Sequence, residues 1–248
     1  MTIRTMTTTL LRVAIVMLAL VANHTALAGA ADTVYSPLVV KGETEFELRG
    51  GFRDFANVPN EHAFVFDVGY GVTNNWRTEL VLEQAAEGGK PGRLEAWEWE
   101  NVIALTEQGK YWLDLGLFAE YEHAFNGPGK LIVGPMFMKE IGPTVANLNL
   151  LFTREVGNGA SNQTTLGYTW QVKWRGREAL EWGMQGFGSL GALANLGRGD
   201  SHIAGPALFG ARRLPNGDKL VYNAAVLGGL NAAAPDVTLR FQIEYEMF

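Results

Sequence analysis

From residue 43 onward, polar and apolar residues trade places at almost every step. In the last stretch, Val237, Leu239, Phe241, Ile243 and Tyr245 share one face of an extended strand, while Thr238, Arg240, Gln242, Glu244 and Glu246 share the other. Side chains one residue apart on a strand point to opposite sides, so Val237 to Phe248 carries one apolar and one hydrated face. A first strand over Glu43 to Arg53 reads the same way, with Thr44, Phe46, Leu48 and Phe52 opposing Glu43, Glu45, Glu47, Arg49 and Arg53. The cleanest alternation is Thr164 to Arg175, where Leu166, Tyr168, Trp170, Val172 and Trp174 oppose Thr165, Gly167, Thr169, Gln171 and Lys173.

Between these the pattern predicts strands over His62 to Tyr70, Trp76 to Gln84, Leu94 to Leu105, Tyr111 to Ala124, a sixth ending near Lys139, Val145 to Glu155, Ala179 to Ser189, His202 to Arg212 and Leu220 to Leu230. Gly, Asn and Pro punctuate them, as at Gly71-Val72-Thr73-Asn74-Asn75, Glu107-Gln108-Gly109-Lys110 and Gly142-Pro143. Tight turns follow the second, fourth, sixth, eighth and tenth strands, and the longest connection of the other set is Leu190 to Ser201. An even set with both ends on one side predicts an all-β fold: a single closed antiparallel transmembrane β-barrel of about 12 strands with short periplasmic turns. Strict alternation in the fourth strand aims Asn101 at lipid. Gly134-Pro135 and Gly205-Pro206 fall inside strands of a sheet that has no edge, so a β-bulge is expected at each.

Composition sharpens this. Only 19% of residues are charged and 47% are apolar, a balance that two-faced strands produce without long apolar blocks. Cysteine is absent, which excludes disulfides, thiol nucleophiles and Cys-ligated metals. Residues 1–30 read as a signal peptide: Arg4 and Arg12 start it, Val13 to Ala22 is its apolar run, and cleavage is expected near Ala28 or Ala30. Loss of those two arginines takes the net charge from −6 to −8. Residues 31–42 are expected to be a periplasmic lead-in, broken by Ser36-Pro37, and residues 43–248 an outer-membrane β-barrel.

The inward parity collects Glu43, Glu45, Glu47, Asp67, Glu79, Glu83, Glu98, Glu100, Asp114, Glu120, Glu122, Glu181, Glu244 and Glu246 against Arg49, Arg53, Arg77, Lys173, Arg175, Arg212 and Arg240. Acids outnumber bases two to one on these positions, so a confined lumen lined by them attracts cations and repels anions. Alternatively, the charges pair across neighbouring strands and fill the barrel.

Other constellations carry less. Glu98 with Glu100 and Glu120 with Glu122 are i, i+2 neighbours that share a face, which does not make an acid/base pair. Ser201 and His202 suggest a lipid hydrolase, but adjacent strand residues face apart. Met136 and Met138 with His123 are candidate soft ligands, and Arg198-Gly199-Asp200 is a short attachment-like tripeptide in the loop before His202.

Gly42-Glu43-Thr44-Glu45-Phe46-Glu47, Tyr70-Gly71-Val72-Thr73, Glu120-Tyr121-Glu122, Asn147-Leu148-Asn149 and Leu239 to Tyr245 together resemble uncharacterised proteobacterial outer-membrane β-barrel proteins, similar to transporters of the phenol-degradation (MetA-pathway) type. The resemblance spans nearly the whole mature chain. It implies a porin-like transport barrel in a Gram-negative outer membrane, partnered by outer-membrane lipid and, through the C-terminal strand ending at Phe248, by the barrel-assembly machinery.

The sequence thus supports a small passive channel or transporter for cationic or neutral solutes, with no catalytic residue, no cofactor, no metal and no nucleic acid. The alternatives are a structural or surface-interaction barrel with a filled lumen and an outer-membrane lipid hydrolase.

Overall fold

The computed structural model describes residues 30–56, 59–197 and 201–248. The expected signal peptide lies outside these, apart from Ala30, as does Arg198-Gly199-Asp200. Twelve strands follow one another: β1 Thr44–Asp54, β2 Glu61–Thr73, β3 Trp76–Glu87, β4 Arg93–Ala104, β5 Asp114–Ala124, β6 Gly129–Ile141, β7 Thr144–Val156, β8 Thr164–Arg177, β9 Leu180–Ala192, β10 His202–Arg213, β11 Lys219–Gly229 and β12 Val237–Met247. Each pairs antiparallel with the next, and β1 pairs with β12 from Thr44↔Met247 to Asp54↔Val237, which closes the barrel. The expected all-β barrel is the observed one.

One end of the barrel carries the connections 74–75, 105–113, 142–143, 178–179 and 214–218, and the other carries 55–60, 88–92, 125–128, 157–163, 193–201 and 230–236. We call these the turn end and the loop end; by the rule for bacterial barrels the turn end is periplasmic. The β4–β5 connection is longer than the short turn expected at Glu107 to Lys110. Tyr111 and Trp112 stay outside β5, where the Lys139 ammonium sits 5.0 Å from the Trp112 ring centre.

The outer wall is apolar from strand to strand, with Phe46, Leu48, Phe64, Leu80, Val226, Leu239 and Ile243 all exposed. Such a surface suits hydrocarbon. Rings lie flat over glycines on this face: Phe64 and Phe241 cover Gly50, Trp170 covers Gly186, and Tyr222 covers Gly210. They hide backbone that would otherwise lack side-chain cover. Asn101 does face outward, and alternation runs on to buried Val102. The indole Nε1 of Trp76 donates to Asn101 Oδ1 at 3.0 Å, which satisfies an amide on an apolar wall.

The bulges expected at the Gly-Pro sites do not form. Pairing passes from Val133↔Phe152 to Met136↔Asn149, and from Ala204↔Gly228 to Ala207↔Ala225, with the offset unchanged. The ladder skips the proline, which has no N–H to give. The preceding glycine has no Cβ, so the Leu150 and Val226 carbonyls lie where one would stand and no extra residue is needed. Register shifts occur instead at Gly71/Thr73, Glu83/Gln84, Leu166/Gly167 and Trp174/Arg177.

The largest departure is the lead-in, residues 31–42. It threads the lumen, from Ala30 beside Gly51 of β1 to Val40 beside Gly71 of β2. An apolar cluster of Val102, Phe118 and Met136 on the inner wall explains why: Tyr35 and Val39 cover it. A second cluster, with Phe187, Ile203, Phe209 and Leu227, is covered by Val34 and Ala234.

Trp76→Phe removes the indole N–H that donates to Asn101 Oδ1. It should lower the unfolding free energy of the barrel in detergent or lipid by about 1–3 kcal/mol, read from urea titration of the folded, gel-shifted form.

Candidate functional site

The lead-in and the wall it touches form the most constrained part of the lumen. Asn149 of β7 grips its backbone as a neighbouring strand would: Tyr35 N–H donates to Asn149 Oδ1 at 2.9 Å, and Asn149 Nδ2 donates to the Tyr35 carbonyl at 3.1 Å. Thr169 Oγ1 donates to the same Oδ1 at 2.8 Å and fixes the amide. The Tyr35 ring stacks on Phe118 with centroids 3.9 Å apart, and its hydroxyl donates to Glu100 Oε1 at 3.1 Å. Higher up, Arg240 donates to the Asp32 carbonyl, bonds Gln185 Oε1 at 3.1 Å and lies over the Phe187 ring at 4.4 Å.

Glycines clear the path. A Cβ at Gly51 would overlap the Ala30 carbonyl, one at Gly71 the Val40 carbonyl, and one at Gly116 would stand 2.7 Å from Pro37 Cβ. All three lie on the inner parity of their strands. Removing side chains there lets an extended segment run close to the wall.

Around this segment the carboxylates crowd. Glu47 stands directly across from Asp67 and Glu244, Glu79 from Glu100, Glu100 from Glu120, and Glu98 from Glu122. Like charges facing one another across a ladder oppose pairing. The opposing charge comes instead from arginines reaching over the wall: Arg49 meets Glu47 at 2.6 Å, Asp67 at 3.0 Å and Glu100 at 3.8 Å. Arg77 meets Glu45 at 2.9 Å and Glu79 at 2.5 Å, and Lys130 meets Glu122 at 2.7 Å.

Of the residues singled out from sequence, Glu43, Glu45, Glu47, Arg49, Asp67, Glu79, Glu98, Glu100, Asp114, Glu120, Glu122 and Arg240 are buried on the inner side. Arg77, Lys173 and Glu244 also face inward but are partly accessible. Asp114 sits apart, at the turn end, where it accepts from Gly109 N–H at 2.7 Å. Most of the acids belong to β12 and β1 to β5. The wall from β6 to β11 is built largely of amides, hydroxyls and apolar groups such as Asn149, Thr169, Gln185, Phe187, Ile203 and Phe209.

Sequence reasoning missed Lys130 and the lead-in contacts. Inward Val102, Phe118 and Met136 were the available signal, since three apolar side chains in a row of acids need an apolar cover. The soft-ligand reading fails, because Met136 and Met138 are buried inside while His123 is exposed outside. The Ser201–His202 reading fails as well: Ser201 is buried, and His202 Nδ1 is 2.8 Å from the Tyr168 hydroxyl on the other face.

Cavities lie beside the lead-in. One of about 250 Å³ is lined by Tyr35, Arg49, Glu83, Glu98, Glu120, Glu122 and Lys130, and one of about 380 Å³ toward the loop end by Arg53, Glu61, Glu83, Lys90 and Arg93. Glu83 borders both. Toward the turn end, Tyr35 and Val39 pack against Phe118 and Met136.

No family model and no curated protein matches the chain. Solved structures do: the COG4313 outer membrane channel from Pseudomonas putida F1 superposes with a TM-score of 0.60 at 10% identity, covering 87% of this chain and 98% of that one. The NanC porin superposes with a TM-score of 0.56 at 10% identity, covering 82% of this chain and 99% of that one. At this identity the likeness is one of fold. The fold is therefore that of the porin-like barrels built by outer-membrane channels.

Arg49 is the shared counter-charge of three buried acids. Arg49→Ala should cost about 3–5 kcal/mol, because it strands Glu47, Asp67 and Glu100 without a cation; the midpoint of urea unfolding in detergent checks this. Gly71→Val should leave the barrel closed but displace the lead-in, which limited proteolysis between Ala30 and Lys41 would detect as new cleavage.

Proposed function

We propose that the chain is an outer-membrane channel that passes small cationic or neutral solutes passively, with the lead-in as its internal constriction. The observation that carries this reading is the acidic lumen. Carboxylates face carboxylates across β1 to β5, and the cavity between lead-in and wall is bordered by Glu83, Glu98, Glu120 and Glu122. A low-dielectric wall with that excess concentrates cations and excludes anions. Kinship with transporters of the phenol-degradation type belongs to the same proposal and rests on the strand motifs given above. So do the outer-membrane address, export by the N-terminal signal, and delivery to the assembly machinery by β12 and Phe248.

A second reading has its own support. The turn-end half of the lumen is packed by Tyr35 and Val39 against Phe118 and Met136, as in a structural barrel that conducts nothing. Planar-bilayer measurements separate the two. Under a KCl gradient the channel reading expects small currents with a cation-selective reversal potential, and deletion of residues 31–40 should raise single-channel conductance several-fold. Anion preference, or silence in both the full chain and the deletion variant, would exclude it.

A further inference from the structure

Glu98 and Glu100 of β4 and Glu120 of β5 each bring one carboxylate oxygen within 4.8 Å of the others, and all three side chains are buried. Three ionised acids so close repel one another unless a proton or a cation joins them. For Glu45, Glu47, Asp67, Glu79 and Glu122 that cation is a side chain. Here it is not: among the described residues no basic group lies within ion-pair distance of Glu98 or Glu120. Arg49 is committed to Glu47 and Asp67 and reaches only Glu100, at 3.8 Å, while Lys130 is taken by Glu122.

Two further observations separate this cluster from an ordinary acidic patch. Glu100 spends Oε1 on Tyr35 and Arg49, whereas its Oε2 is enclosed with no hydrogen-bond partner. Glu120 is only 7% exposed, and what remains accessible borders the cavity of about 250 Å³. No hydrogen bond reaches its carboxylate from any described residue. A fully buried orphan acceptor and an unpartnered carboxylate therefore belong to one cluster, with room for water beside it.

We propose that Glu98, Glu100 and Glu120 bind a divalent metal cation of the hard, oxygen-preferring kind, Ca²⁺ or Mg²⁺. The donor set is carboxylate alone, with no imidazole, and the chain has no thiol, so softer metals find no favoured ligand. A metal–oxygen distance of about 2.4 Å places opposite ligands about 4.8 Å apart at most. The three oxygens are near enough to close on such an ion by small turns of their side chains, with the strands left in place, and cavity water completes its shell. The site deepens the channel reading and rests on it, since the ion must enter the lumen from the loop end past Glu83.

The test uses the full-length folded barrel in detergent micelles, stripped with chelator and titrated with CaCl₂ and MgCl₂ by isothermal calorimetry. Saturable binding of one ion per barrel is expected for at least one of the two. Glu98→Gln and Glu120→Gln should each weaken it by at least about tenfold, the loss that even removing an outer partner of a ligand brings. Each variant must keep the heat-dependent gel shift of the folded form, and both substitutions relieve repulsion, so folding is expected to survive. Glu140→Gln, at an exposed carboxylate paired with Arg175 outside the cluster, should change nothing. Absence of saturable binding, or binding indifferent to both lumen substitutions, overturns the site. Bilayer currents in KCl keep the two ideas distinct: a barrel that conducts but binds neither ion loses the site alone, and one that binds as expected but stays silent keeps the site and loses the channel.

Discussion

Closure of β1 onto β12 is the constraint from which the rest follows. The register from Thr44↔Met247 to Asp54↔Val237 leaves neither terminal strand with an open edge. In hydrocarbon no water is available to satisfy a free edge, so only a ring of pairing is stable there. Once the ring is closed, every side chain must choose between outside and inside. Leu48 and Ile243 meet the outer apolar surroundings, whereas Glu47 and Arg240 have to find partners in a confined interior.

That interior is short of space and of positive charge. Buried carboxylates are costly unless paired, and the barrel answers by making two arginines serve several acids each. Arg49 draws together β1, β2 and β4, and Arg77 links β3 back to β1. At Glu98 and Glu120 no basic side chain of the described residues comes within ion-pair distance. Opposite that region the wall turns to amides and hydroxyls, and the lead-in is held there by neutral hydrogen bonds to Asn149.

Period-two alternation made most of the barrel legible. Strand number, closure and the inward placement of acids such as Glu45 and Glu100 need only the rule that neighbours face apart. Strands with two apolar faces were harder to read: in β10, Ile203 and Phe209 point in while Leu208 points out, and hydropathy alone cannot assign the sides. Turn lengths near Tyr111 and Trp112 were obscured because aromatic residues look like strand. At the Gly-Pro sites a proline inside a closed sheet signals a bulge, but the glycine before it lets a neighbouring carbonyl approach and keeps the register. The lead-in was invisible for a different reason. Its position is set by contacts with Phe118, Asn149 and Gly51, each far away in sequence, and no local periodicity encodes them.

The same covalent thread that fills the centre continues directly into the strand that completes the seam. Ala30 to Lys41 is tethered to β1, whose far side is bonded to the last strand of the chain. The peptide backbone lies so near Gly51 and Gly71 that any side chain added there would press on it. The central peg is thus moored at the seam strand itself, yet it takes no part in the seam's own backbone pairing, so it can be shortened or pushed aside while the hoop stays shut.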